Sequence, residues 1–385
     1  MGRFFGATAK LECLGAATTL RKLAKQVGVQ YSPLPHPLDF DWRFTEGTVD
    51  LLWRSARQFC DPDGRIVLLG TPSLVGSSVA RSAWLGPISL LERNPITISA
   101  AENHIETLRC DVLRDVIPNR KAELVLADPP WYEAEIVGFL WAAAQLCQNG
   151  GHVILSAPPV DTRPGIDAER ARIDDAAANF GLRRARVYAR VLLYSTPFFE
   201  ANAMSAAGSP VMREWRRGDL VLYSRNNMPV GSRPPAPADE CWIEKTLGGT
   251  RFRLKQQSAA DFASPCLHSV IAGDILPTVS RRDPRRGQAD VWTSGNRLFK
   301  CFGTAVLAVI IDALNAGGRV IELVASHLGR SLAETEQQAV ARAAFQVLDV
   351  VKWESVELQR IELGCRMARE LGPAIDQSSA LRRAG

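Results

Sequence analysis

Metal-ligand patterns are missing from this sequence. Its 385 residues include five histidines, none in an H-E-x-x-H or similar array. The eight cysteines (Cys13, Cys60, Cys110, Cys147, Cys241, Cys266, Cys301 and Cys365) are scattered, with no C-x-x-C pair. No metal site and no disulfide framework is expected, and the thiols read as reduced. No apolar run reaches the ~18 residues of a membrane span. The opening MGRFFGATAKLECLG lacks the apolar stretch and cleavage site of a signal peptide. A large excess of either charge is also missing, with 46 lysines and arginines against 41 acids. The net charge is +5, a mild excess compatible with nucleic acid. The sequence predicts a soluble, cytoplasmic protein with no membrane association, and its length suggests two or three domains.

What is present concentrates between residues 61 and 156. Asp61-Pro62-Asp63-Gly64 reads as a turn, and Arg65 to Leu69 as a short buried strand ending in Gly70-Thr71-Pro72-Ser73. A helix is predicted over SSVARSAWL. Pro87 to Leu91 forms a second strand that ends in Glu92, 22 residues after Gly70. A glycine turn after one strand, with an acid about 20 residues on at the end of the next, is a nucleotide-binding arrangement. The glycine lets a ligand approach the backbone, and the acid accepts hydrogen bonds from ribose hydroxyls. AENHIETL is predicted as a short helix before Arg109-Cys110-Asp111-Val112, whose acid could meet an adenine amine. The apolar run Leu124 to Ala127 then stops at Asp128-Pro129-Pro130-Trp131-Tyr132. The carboxylate and a turn carbonyl can accept hydrogen bonds from an amino group. The prolines fix the turn, and the aromatics can stack on a flat base. A helix around GFLWAAAQLC, a cap and turn at Asn149-Gly150-Gly151 and a fifth strand from His152 to Ser156 complete the block.

With these four motifs in this order, the block resembles the core of a class I S-adenosylmethionine-dependent methyltransferase. The branch is that of the amino-methyltransferases with a D-P-P-[WYF] motif, and the resemblance covers roughly residues 61–225. It implies an α/β fold with a Rossmann-like doubly wound sheet, and S-adenosylmethionine as cofactor. Gly70, Thr71, Pro72, Ser73, Glu92 and Asp111 would bind that cofactor, and Asp128, Pro129, Pro130 and Trp131 would be catalytic. The implied reaction is methyl transfer to an exocyclic amine such as adenine N6 in DNA or RNA. The family's second loop glycine is absent, and Pro72 stands where it is expected and removes an N–H. That departure admits two alternatives. One is a decarboxylated donor, as in the branched-chain polyamine synthases, which transfer aminopropyl groups and also carry a D-P-P-aromatic motif. The other is a degenerate methyltransferase fold that only binds.

The remaining segments are accessory. Residues 1–60 read as an amino-terminal helical and loop segment, with a helix from Thr18 to Val27 and Thr48 as cap of a second helix. After a strand from Arg186 to Tyr194, the loop carrying Phe198, Phe199, Glu200 and Asn202 sits where such folds place substrate contacts, alongside Tyr132. Residues 226–300 comprise a proline-rich linker and a β-rich region with a hairpin at Gly248-Gly249. The run Arg281-Arg282-Asp283-Pro284-Arg285-Arg286 could meet phosphates, with Arg281 and Arg282 as substrate-binding candidates. Residues 301–385 read as helical, with Ser331 and Glu334 as a capping box and VKWESVELQRIEL open between helix and strand. These helices could receive a protein partner.

Overall fold

The protein is described by a computed structural model over residues 34–75, 84, 86–94, 105–237, 241–256, 262–317 and 319–381, with side chains as far as Leu363. The helix expected over Thr18 to Val27, nearly all of SSVARSAWL and the first half of AENHIETL lie outside these residues.

Strand β2 (Ile66–Leu69) is buried along its whole length, as a central parallel strand must be when both sheet faces are covered. Alternate residues point to opposite cores. Ile66 and Leu68 pack with Leu90, Leu124, Leu126 and Trp53, while Val67 and Leu69 pack with Leu91, Val125, Ile136 and Leu140. Eight strands share the sheet. In spatial order they are β1 (Arg43–Phe44), β7 (Leu182–Ser195), β8 (Arg217–Arg225), β6 (Cys147–Ala157), β5 (Ala122–Ala127), β2, β3 (Ile88–Glu92) and β4 (Glu106–Arg109). Strands β2 to β6 run parallel, and β8 is antiparallel to both β6 and β7. Helix α1 (Glu46–Phe59) covers one face with Val49, Leu52, Trp53 and Ala56. Helix α2 (Glu133–Leu146) covers the other, where α3 (Ile166–Asn179) also packs through Ile173 and Ala177. This is the Rossmann-like doubly wound sheet expected from the sequence. The chain leaves β2 for β3 and β4, then returns to β5 on the other side of β2. Strand order therefore reverses between β2 and β5, and ligands bind at such switch points, beyond the carboxyl ends of the strands.

A second sheet follows, ordered β11 (His268–Ser269), β13 (Leu298–Lys300), β12 (Val291–Thr293), β10 (Thr250–Lys255) and β9 (Trp242–Leu247). Gly248 and Gly249 turn the β9–β10 hairpin with φ of +57° and +90°, a conformation open to glycine at little cost. Helices α5 (Thr304–Asn315), α6 (Val320–Leu328) and α7 (Glu334–Leu381) join its core through Leu307, Ile310, Ile311, Val324, Val347 and Val351. Helix α4 (Phe198–Ala206) precedes β8.

Several local expectations give way. Thr45, not Thr48, caps α1 by accepting the Thr48 N–H at 3.3 Å, while the Thr48 hydroxyl accepts the Leu193 N–H at 2.8 Å. The third strand starts at Glu106, inside the stretch expected to be helical, because pairing with β3 at Ser89 to Glu92 outweighs local preference. Asn149 to Gly151 lie within β6, where Gly150 takes a φ of +81° and the register with β5 shifts. VKWESVELQRIEL, left open between helix and strand, is helix and continues α7. At the start of that helix it is Glu336, not Glu334, that reaches back to an early N–H, that of Ala333 at 2.8 Å.

The segment before α1 ties the two sheets together. Asp39 takes both Arg251 and Arg253 at 2.5 Å, and Asn94 donates to it at 3.1 Å. Arg251 is 1% exposed and also pairs with Glu244. His36 is fully buried against the Trp292 carbonyl, and desolvation lowers its pKa to about 3, so it is neutral in this setting. Burial pushes the Asp39 carboxyl up, but the two guanidiniums overcome it and hold Asp39 below its ordinary value. Asp39→Ala leaves Arg251 buried and short of a partner, which should cost about 3–5 kcal/mol in urea unfolding. A loss below about 1 kcal/mol would show that the ion cluster does not join the sheets.

Candidate active site

The parallel pairing of β2 with β5 sets Leu69 beside Ala127, so the residues that follow, Gly70 and Asp128, stand side by side at the switch point. Gly70 has a φ of +62°, which strains any other residue, and a Cβ there would lie 3.0 Å from the Phe139 ring, which would have to give way. Its N–H donates to the Leu91 carbonyl at 3.0 Å. One strand over, Glu92 ends β3 and accepts the Asn94 N–H at 2.9 Å. Desolvation pushes its pKa up to about 7. Gly70, Glu92 and Asp128 line one cavity of about 1040 Å³, together with Phe40, Asp41, Cys110, Asp111 and Arg281.

The other expected cofactor residues divide. Thr71 is buried, and its hydroxyl oxygen has no partner among the described residues. Pro72 opens a 3-10 turn, Pro72–Leu74, and lines the cavity. Ser73 does not line it; its Oγ instead accepts the Phe44 N–H at 3.2 Å and fastens β1 to the loop. Asp111 lines the cavity, but its carboxylate is engaged by the Leu113 N–H at 3.0 Å and Arg114 at 2.9 Å.

Asp128 is held from above by residues on later strands. The Tyr194 hydroxyl on β7 donates to Asp128 Oδ1 at 2.7 Å and is also in short contact with Ser156 Oγ on β6. Ser156 Oγ in turn accepts Trp131 Nε1–H at 3.2 Å. The chain Asp128–Tyr194–Ser156–Trp131 thus links the two ends of the Asp-Pro-Pro-Trp turn through the neighbouring strands. Burial is the main influence on the Asp128 carboxyl and pushes its pKa up to about 7, against the hydrogen bonds that oppose it. The Trp131 and Tyr194 rings meet edge to face at 5.6 Å. The Arg216 guanidinium lies 3.5 Å from the centre of the Trp42 ring and 5.1 Å from that of Trp131. Glu200 lies 4.0 Å from Arg216, and burial raises its pKa to about 7.

Sequence reasoning did not single out Tyr194, Ser156 or Arg216, while Glu200 stood among the candidates of the loop after β7. Tyr194 and Ser156 stood in strands with no motif around them, and only strand order brings them to Asp128. Tyr132, a substrate candidate, packs edge to face with Phe40 at 5.8 Å, and its hydroxyl accepts the Arg281 N–H at 3.2 Å. Phe198 and Phe199 are buried, and Phe199 packs on Trp42. Asn202 is buried too, donating to the Gly295 carbonyl at 3.0 Å and to Glu357 at 3.3 Å, so it joins α4 to the second sheet and to α7. Arg281 and Arg282 reach the cavity rim but are paired with Glu135 and Glu169. No cluster of three or more potential metal ligands occurs among the described residues, nor any helix long and apolar enough to cross a membrane.

No protein-family model matches the chain, and no curated protein does. Among solved structures it is similar to the branched-chain polyamine synthase of Thermus thermophilus in complex with N4-aminopropylspermidine and 5′-methylthioadenosine. Identity is 13% and the TM-score 0.46, over 58% of this chain and 67% of that one. A C9 mutein of that synthase gives 15% and 0.45 over the same shares. A protein of Pyrococcus horikoshii described as an RNA methyltransferase gives 14% and 0.39, over 59% of this chain and 99% of that one. At such identities and scores, the order and direction of this chain's own strands carry the fold class.

Two outcomes are expected of Asp128. Unfolded, its carboxyl ionises near 3.8; folded, it keeps its proton to about 7. Its contribution to stability is therefore greatest below pH 4 and is lost as pH rises from about 4 through about 7. Asp128→Asn should gain stability relative to the wild type across that window, as read by thermal melts at each pH. A difference independent of pH would count against the buried, neutral acid. Tyr194→Phe removes a hydrogen bond to the carboxylate and should move Asp128 to a still higher pKa. A carboxyl-carbon NMR titration, with Asp128→Asn for assignment, reads the shift directly, and an unchanged titration would show that the Tyr194 hydroxyl does not act on it.

Proposed function

We propose that this chain is an S-adenosylmethionine-dependent transferase that methylates an exocyclic amine, with adenine N6 of DNA or RNA as the acceptor. The observation that carries this reading is the meeting of Gly70, Glu92 and Asp128 in one cavity at the switch point of the sheet. The residues present suit the donor. Gly70 leaves space for close approach at the backbone, the Thr71 hydroxyl, without a partner among the described residues, sits in the same turn, and Glu92 offers an acceptor for ribose hydroxyls. When bound, S-adenosylmethionine supplies a methyl on a sulfonium, which departs as a thioether while the carbon–nitrogen bond forms.

The chain's own part is to place and deprotonate the amine. Tyr194 fixes the Asp128 carboxylate through Oδ1. The other carboxylate oxygen and the Pro129 carbonyl accept the two amine hydrogens, which localises the nitrogen lone pair toward the donor. The proton released on transfer goes to Asp128, whose pKa near 7 lets it accept the proton and pass it on near neutrality. A base in a duplex must leave the stack to reach this carboxylate.

One observation favours a second reading. Pro72 lines the cavity beside Gly70 and has no N–H for a donor carboxylate, which suits a decarboxylated donor and aminopropyl transfer to a polyamine. Calorimetry with S-adenosylmethionine, its decarboxylated form and S-adenosylhomocysteine separates the readings. Glu92→Ala should weaken the preferred ligand about tenfold or more, consistent with loss of charge-assisted hydrogen bonds. Asp128→Ala should keep donor binding and lose transfer. No binding of any of the three at millimolar concentration rules out both readings. Retained turnover in Asp128→Ala would remove the role given to that carboxylate.

A further inference from the structure

We propose that the loop of residues 207–216, between α4 and β8, is the surface that carries a single-stranded nucleic acid when its base enters the site. This rests on the nucleic-acid reading of the acceptor given above. The loop is held by its backbone and, apart from Arg216, leaves its side chains to solvent. Thr196 donates to the carbonyls of Arg213 at 2.8 Å and Met212 at 2.6 Å, and the Tyr194 N–H donates to the carbonyl of Arg216 at 3.1 Å. Val211, Met212 and Trp215 are 40%, 51% and 40% exposed, an unusual density of large apolar side chains for one fastened loop.

Cationic groups interleave with them. Arg213 and Arg217 are exposed and form no ion pair with any described residue. Arg216 bridges the loop to the transfer site, its guanidinium 5.8 Å from the ring centre of Trp215 and 5.1 Å from that of Trp131 in the Asp-Pro-Pro-Trp turn. The arginines singled out by the sequence differ in this respect. Arg281, Arg282 and Arg285 are spent on Glu135, Glu169 and Asp283. Unpaired arginines beside an exposed indole are suited to track a phosphate backbone and stack an unpaired base. A duplex would hide its base faces from Trp215, so the surface fits a single strand.

The test uses the full chain and a fluorescein-labelled single strand of about ten nucleotides, read by anisotropy from roughly 50 to 200 mM salt. Arg213→Ala with Arg217→Ala should weaken binding and flatten the salt slope by roughly 0.7 for each phosphate no longer neutralised. Trp215→Ala should weaken it about tenfold with the slope unchanged. Arg285→Ala should bind as the wild type does. Equal losses in Arg285→Ala, or no loss in the loop variants, would overturn the assignment. Binding to anionic vesicles but not to the strand would overturn it in favour of a membrane surface. S-adenosylhomocysteine calorimetry on the same variants keeps the two readings apart. If the ligand binds and no strand does, the surface fails while the transferase stands.

Discussion

The reversal of strand order between β2 and β5 is the constraint on which this site depends. Parallel pairing of two buried strands brings their carboxyl ends level, and from there the strand order runs to β3 on one side and to β6 on the other. A glycine turn and a carboxylate, 58 residues apart in the sequence, become neighbours for that reason. The apolar residues of β2 and β5 are what hold this pairing, so the site is as rigid as the core beneath it.

Around that junction the protein keeps several acids out of water. Asp128, Glu92 and Glu200 all have pKa values raised to about 7, with burial the leading cause in each. A carboxyl kept near neutrality sacrifices stability above its unfolded pKa and gains the ability to exchange a proton near pH 7. Elsewhere the same chain treats buried charge differently. Asp39, with two arginines on it, is held ionised and used as a tie between the sheets. Partner supply, not burial alone, separates the acid poised to titrate from the acid that holds structure.

The accessory half shapes access more than chemistry. The arginine run 281–286 contributes to the cavity lining, with Arg281, Arg282 and Arg285 paired to carboxylates, and Tyr132 is packed between Phe40 and Arg281. The open cationic surface falls instead on the loop before β8, which belongs to the first sheet's half of the chain and stands next to Trp131. Helix α7 reaches back through Glu354 and Glu357 to the turn at Thr293 to Arg297 and to Asn202, so the carboxy-terminal helix also braces α4.

The sequence by itself determined strands β2, β3 and β5 and the His152 to Ser156 part of β6, the glycine hairpin of the second sheet, and the succession of Gly70, Glu92, Asp111 and Asp128. Each of these rests on local pattern: apolar runs bounded by turns, and acids at strand ends. It determined much less where pairing decides the outcome. The start of β4 came from its neighbour β3, and the cap of α1 from the turn after β1. Tertiary structure alone decided that Tyr194 and Ser156 hold Asp128, that Ser73 and Asn202 serve the scaffold, and that Arg281 and Arg282 are spent on carboxylates. Those are contacts between residues distant in sequence, and a one-dimensional pattern carries no signal for them. Which oxygen of Asp128 is occupied, and which arginines stay open to solvent, depends on how the strands are ordered in space.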